Sequence, residues 1–246
     1  MFNSFKAQLR KRARYDESAG LEMYRRFARW KTGSRVVLCG VDNLLQIGPS
    51  EIAGLKVEVY GNNNRIHFAR GVRLQNVRIH IAGNNCQISL GENAALDGCL
   101  LWTMGEGSRI SVGANCEFGP TNIYASDSKA TVTIGAGCMF ASQVEIRCGD
   151  GHTLFDRDTG EILNLASHIR IEEEVWLATG AWVLKDVTIG AGSVIGAKAV
   201  VTKDVPSNSL AVGIPAKVIR SNIGWRKEPI HVLPKNWREQ LLKEFA

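Results

Sequence analysis

From Ile171 to Pro206 an aliphatic residue recurs at every sixth position: Ile171, Leu177, Val183, Ile189, Ile195 and Val201. The fifth residue of each hexad is small or β-branched: Val175, Ala181, Val187, Ser193, Ala199 and Val205. A helical period would spread these positions around a cylinder, whereas an extended segment puts i and i+2 on one face. Short β-branched runs turned by Gly or Asp at a fixed period are the signature of a stacked β-solenoid. One coil of three hexads buries too little apolar surface to offset the entropy of ordering it, so coils must stack.

Upstream, from residue 36 to about 134, the period lengthens to 22. Ile66, Ile88, Ile110 and Val132 align at that spacing, as do Phe68, Leu90, Val112 and Ile134. Just before them stand Gly61-Asn-Asn-Asn, Gly83-Asn-Asn-Cys, Gly105-Glu-Gly-Ser and Ser126-Asp-Ser-Lys. An 18-residue coil with a four-residue excursion at one corner gives this period, Gly and Asn supplying positive φ at the turn. Gly40-Val-Asp-Asn-Leu-Leu, with Ile47-Gly48, is an earlier copy displaced by one residue.

Strict hexads return at Ile134 and Phe140, then break: Ile146 and Ile171 are not separated by a multiple of six. The interval predicts an external loop over 148–170, the kind of segment in which function concentrates on a rigid scaffold. The domain organisation read from these signals is a basic helical segment over 1–35, a solenoid over 36–206 and a tail over 207–246. Pro206, Pro215, Pro229 and Pro234 punctuate that tail, and Trp237–Phe245 reads as a short helix.

The formal charge of +6 sits at the ends. Residues 1–35 hold ten Lys or Arg against three acids, and acids outnumber bases across 36–214. Phe5, Leu9, Leu21, Tyr24, Phe27 and Trp30 fall on a helical period, so the segment 5–31 reads as a cap over the solenoid's open end or as a peripheral contact with an anionic membrane surface. No aromatic-basic stacking platform accompanies its charge, so nucleic acid is not expected as a partner. The absence of a long apolar run and of a signal-peptide core places the protein in the cytoplasm, with the inner face of the membrane as its one expected attachment. The six cysteines show neither CxxC pairs nor zinc-ligand spacing and read as reduced packing residues, and no metal is expected.

Among five histidines, His152 stands in the excursion, flanked by Asp150 and Asp156. Its ordinary pKa suits it to general-base work near neutral pH. His168, just before the chain re-enters the coil, is a candidate acceptor contact.

Ile189 to Pro206 reads IGAGSVIGAKAVVTKDVP, and Ala211 to Ile219 reads AVGIPAKVI. Together they resemble the hexapeptide-repeat acyltransferases. Gly149 to Asn164 (GDGHTLFDRDTGEILN) and Ile169 to Trp176 (IRIEEEVW) are similar to the loop and re-entry strand of bacterial polysaccharide and sugar O-acetyltransferases of that family. The resemblance implies a left-handed parallel β-helix, an all-β solenoid assembled as a homotrimer with sites between subunits. It also implies acetyl transfer from acetyl-CoA to a hydroxyl of a sugar, in surface polysaccharide biosynthesis. His152 would be the general base, oriented by Asp150 first, with Asp156 and then Glu145 as the alternatives; Asn122, Asp156 and His168 would meet the acceptor. Acetyl-CoA would lie along Trp176, Ala178, Gly180, Trp182, Gly196, Ala197, Lys203 and Lys217. The chain departs from the family pattern where relatives read IGxxVWIG: here it is IEEEVWLA, with Ala178 for Gly and Glu172 at a corner. N-acetylation of an amino-sugar nucleotide, and a non-catalytic scaffold, are the alternatives that the sequence leaves open.

Overall fold

The computed structural model describes residues 33–165 and 167–244. The helical reading of 5–31 falls outside them.

Each run of β-branched residues forms a short strand, and three strands make a coil. The first coil is β1 (Arg35–Cys39), β2 (Leu44–Ile47) and β3 (Glu51–Ala53), and the second β4 (Lys56–Tyr60), β5 (Arg65–Phe68) and β6 (Arg73–Gln75). The third is β7 (Arg78–Asn84), β8 (Gln87–Leu90) and β9 (Ala95–Asp97), the fourth β10 (Leu100–Glu106), β11 (Arg109–Val112) and β12 (Glu117–Phe118). The fifth is β13 (Thr121–Ala125), β14 (Thr131–Ile134) and β15 (Met139–Phe140). The sixth opens with β16 (Val144–Arg147), leaves the solenoid, and resumes with β17 (His168–Ile171) and β18 (Trp176–Leu177). The seventh is β19 (Trp182–Leu184), β20 (Val187–Ile189) and β21 (Val194–Ile195); the eighth holds β22 (Val200–Val201) and β23 (Ser209–Val212).

The first strands of the coils stack into an eight-stranded parallel sheet A, the second into a seven-stranded sheet B, and the third into sheet C. The architecture is a parallel β-solenoid of about eight turns. Parallel stacking puts like residues one above another, so the repeat positions become columns of the core. Ile66, Ile88, Ile110, Val132 and Ile169 are all at most 2% exposed, and Phe118 stacks on Phe140 at 4.0 Å. Both hexad series from 171 to 205 point inward: Ile171, Leu177, Val183, Ile189, Ile195 and Val201 are buried, as are Val175, Ala181, Val187, Ser193, Ala199 and Val205.

The four-residue excursion lies at the corner between sheets A and B. There Gly61 has φ +125°, and a Cβ on it would sit 2.1 Å from the carbonyl oxygen of Gly83. Inside the same corner, Asn64 donates to Gly83 O at 2.9 Å and accepts from the Cys86 amide at 2.9 Å, feeding polar groups that the wider turn would otherwise strand.

After β23 the chain reverses into β24 (Lys217–Ser221), antiparallel to it, and the tail runs back along the solenoid. Trp225 donates to Glu174 O at 2.6 Å, and Lys227 reaches Asn115 O and Glu117, both at 3.0 Å. The tail therefore packs on earlier coils, because the β23–β24 hairpin turns it away from the solenoid's end. It closes with α1 (Trp237–Glu244). Among the described residues no helix is long and apolar enough to cross a membrane.

Candidate active site

The loop that interrupts the sixth coil is a built hairpin. Phe155 and Ile162 form an antiparallel bridge, Leu163 N donates to Leu154 O at 2.8 Å, and Asp156 N donates to Glu161 O at 2.8 Å. Asp156 Oδ1 accepts from the amides of Asp158 (2.9 Å) and Thr159 (2.8 Å) and from the Thr159 hydroxyl (3.1 Å). These donors hold its carboxyl below the ordinary range. The side chain expected to meet the acceptor is thus engaged in making the hairpin's turn.

At the base of the hairpin stands a clamp. Asp150 Oδ2 accepts from Lys185 Nζ at 2.7 Å and from Asn164 Nδ2 at 2.9 Å. Asn164 Nδ2 also donates to His152 O at 2.7 Å, its Oδ1 accepts from the Leu154 amide at 2.8 Å, and Lys185 Nζ donates to Asn164 O at 3.0 Å. The Lys185 ammonium, above all, lowers the Asp150 pKa. Asp150 therefore fixes the loop that carries His152 and does not touch its ring; among the described residues the exposed His152 imidazole makes no hydrogen bond. Asn164 is the residue that sequence reading missed. Its place shows only in three dimensions, because its partners Leu154, His152, Asp150 and Lys185 lie ten to twenty-one residues away along the chain.

The register of sheet A places Asn122, Glu145 and Trp182 on three successive rungs, at the strand ends nearest the corner with sheet C. Asn122 Nδ2 donates to Glu145 Oε1 at 2.7 Å. These residues line a groove of about 390 Å³ with Gly98, Pro120, Gln143, Gly180 and Lys198. The fold thereby joins one residue expected on the acceptor side, Asn122, with two expected to meet the acyl donor, Gly180 and Trp182. His168 opens β17 in sheet B, on another face, with Nδ1 2.9 Å from Ser167 Oγ.

Ala178, Gly180, Gly196 and Ala197 stack at the corner between sheets C and A, with Trp176 beside it on sheet C. Their amides are not equivalent. Ala178 N donates to Ile195 O, Gly180 N to Ser142 O and Gly196 N to Ala211 O, each at 2.9 Å, so these belong to the coil ladder. The N–H groups of Thr179 and Ala197 make no hydrogen bond among the described residues. Thr179 was legible only as the hexad position one step past Ala178. Lys217 begins β24 opposite Val212, near this corner, whereas Lys203 lies at the A/B corner between β22 and Val205. Trp225 packs against Trp176 with ring centroids 5.9 Å apart. Cys148 is fully buried; its thiol donates to Ser167 O, and burial raises its pKa, which leaves no exposed thiolate beside the loop.

No protein-family model matches the chain. A Schizosaccharomyces pombe protein provisionally described as an acetyltransferase is 51% identical over 73 residues, 30% of this chain and 35% of its own length. The polysialic acid O-acetyltransferase of Escherichia coli is 36% identical over 87 residues, 35% of this chain and 28% of that protein. The matched part thus spans about a third of the curated relatives' length. Among solved structures, the polysialic-acid-specific acetyltransferase NeuO covers 87% of this chain and all of its own, at 28% identity and a TM-score of 0.70. The polysialic acid O-acetyltransferase OatWY covers 87% and 99% at 25% identity, with a TM-score of 0.76. Over most of its length the chain is thus similar to two polysialic acid O-acetyltransferases, whose solenoid fold it shares. The groove at the C/A corner and the hairpin bearing His152 lie at opposite edges of sheet A.

Proposed function

We propose that the chain is an acetyl-CoA-dependent enzyme that acetylates a hydroxyl of a sugar, in the synthesis of a surface polysaccharide. The observation that carries this reading is the groove in which Asn122 and Glu145 face Gly180, Trp182 and Lys198. A sugar presents hydroxyls to an amide and a carboxylate and an apolar ring face to an indole. The free amides of Thr179 and Ala197 at the same corner suit the amide groups of a pantetheine arm, and Lys198 and Lys217 suit its phosphates. The Ala178 amide, already donating to Ile195 O, is not available to a developing oxyanion.

His152 takes the proton of the attacking hydroxyl. The new carbon–oxygen bond forms at the thioester carbonyl as the carbon–sulfur bond breaks, and the imidazolium returns its proton to the departing sulfur. The clamp of Asp150, Asn164 and Lys185 holds the hairpin that presents the ring.

The hairpin leaves sheet A at its B edge, about three residues or 10 Å of strand beyond Glu145. His152 of one subunit is therefore assigned to the C/A groove of a neighbour, in a left-handed coil arranged as a closed trimer. The hairpin's exposed Leu154, Phe155, Ile162, Leu163 and Leu165 suit such a contact. The protein is placed in the cytoplasm, where acetyl-CoA is made, with residues 5–31 available for the inner membrane face.

Release of free thiol from acetyl-CoA, with a panel of sugars and polysaccharide fragments, tests the reading. Turnover by the wild type that His152→Ala abolishes is the expected result. No turnover, together with no binding of coenzyme A, would overturn it and leave the scaffold.

A further inference from the structure

The acyl-transfer reading uses only the upper rungs of sheet A. Below them the outer face carries a continuous ladder. Register aligns Glu58, His80, Trp102, Tyr124 and Arg147 in one column, with Tyr60 beside it. Ring centroids stand 5.7 Å apart for Tyr60–His80, 5.0 Å for His80–Trp102 and 5.9 Å for Trp102–Tyr124, and the Arg147 guanidinium lies 4.3 Å over the Tyr124 ring. From the second coil to the sixth, four steps of about 4.8 Å make a lane of roughly 19 Å.

Two observations show that the lane is not simply a stabilised surface. The adjoining column stacks Arg35, Lys56 and Arg78 on successive rungs, and none of the three is ion-paired among the described residues. Like charges on neighbouring strands repel, and here they do so on a solenoid in which acids predominate. Further, Trp102 Nε1, Glu145 Oε2 and Arg147 Nε are buried atoms of this face without a hydrogen-bond partner. Glu145 and Arg147 approach to 3.3 Å as an ion pair, but without a hydrogen bond's alignment. A cationic column, flat rings and the unpartnered Trp102 indole N–H are arranged along one line that ends at the groove of Asn122 and Glu145.

We infer that this face binds an extended acidic glycan, with sugar rings lying on Tyr60, His80 and Trp102 and their carboxylates meeting Lys56 and Arg78, so that the polymer is delivered to the groove above. The rung spacing is close to the length of one sugar ring, and charge complementarity selects an anionic chain over a neutral one. The inference rests on the acyl-transfer reading for what happens at the groove, but not for the binding itself.

The test is therefore made without acetyl-CoA. Binding of the full chain to long and short oligomers of polysialic acid and of polygalacturonate, with dextran of matched length as the neutral probe, is measured for the wild type, Trp102→Ala and the double variant Lys56→Ala/Arg78→Ala. Sedimentation velocity and thermal melting are run on each. The expected result is at least one acidic polymer bound about tenfold more tightly long than short, no such gain for dextran, and loss of most of the gain in both variants with sedimentation unchanged. Equal affinity for long and short forms of both acidic polymers overturns the lane, as does full retention of the gain in folded variants. Altered sedimentation with glycan binding intact overturns it too, and makes the face a contact between copies of the chain. Wild-type turnover on a short acceptor is scored separately, so either reading can fail alone.

Discussion

The second to fifth coils and the last two share one core and differ at the surface. In the early coils, sheet A strands reach seven residues, as in β7 and β10, while β19 has three and β22 two. The extra length is the corner excursion. It widens sheet A into a face able to carry three columns of side chains, and it requires Gly at Gly40, Gly61 and Gly83, where each Cβ would fall 1.8 to 2.1 Å from the carbonyl oxygen of a neighbouring rung. The late coils spend nothing on width. At their other corner, between sheets C and A, Gly180 and Lys198 come together, and the amides of Thr179 and Ala197 make no hydrogen bond among the described residues. On the two readings proposed above, breadth would serve surface recognition and the C/A corner the acyl donor.

The largest expected effect separates chemistry from architecture. His152→Ala should lower turnover by about 10²- to 10⁴-fold, the range of a lost general base, without lowering the melting temperature. The ring is exposed and supports nothing, so a large fall in stability would contradict its placement.

Glycine substitutions at the two kinds of corner sharpen the contrast. Gly83→Ala brings a Cβ to 1.8 Å from Gly105 O, a backbone atom that cannot move without opening the ladder, and a loss of about 3 kcal/mol is expected. At Gly180 the nearest atom is Lys198 Cδ at 2.9 Å, a flexible side chain, so Gly180→Ala costs mainly the strain of φ +70°, about 1–2 kcal/mol. Thermal denaturation orders the two; an equal or reversed order would mean that corner width does not depend on the glycine column. Between them, Trp182→Ala should raise the KM for acceptor about tenfold with a smaller change in kcat, because the half-exposed indole walls the groove and takes no proton.

The solenoid was legible in the sequence because a parallel stack converts period into packing: a residue six positions on occupies the next face, and one coil on, the same column. Hence Ile66, Ile88 and Ile110 could be assigned inward with no knowledge of the turn. Asn122, Gly180 and Trp182 could be named but not joined, since their meeting depends on the register 122–145–182, which the loop obscures. Asp150 was legible as an acid near His152, yet proximity along a chain says little about which proton or cation a carboxylate meets. Lys185, from the next coil, takes it instead. His80, Trp102 and Tyr124 do follow the 22-residue period, but their differing types hide them among like-for-like repeats, and Tyr60, off that spacing, joins them only once the rungs are stacked.

That exchange of partners supplies the smallest prediction. The lowered Asp150 pKa means that the folded hairpin favours the carboxylate more than the unfolded chain does. Its contribution is therefore fully present above the ordinary value of 3.8 and is lost as pH falls through the lowered one. Because about half of the Asp150 side chain is exposed, the pair is worth under about 1 kcal/mol, and global stability should hardly register its removal. The loop should. Asp150→Asn keeps the shape and removes the charge, so hydrogen exchange at the Leu154 amide, which depends on Asn164, should quicken several-fold at neutral pH and match the wild type in strong acid. A difference that persists in acid would show that the amide contact of Asn164, rather than the Lys185 charge, holds the hairpin against the rigid late coils.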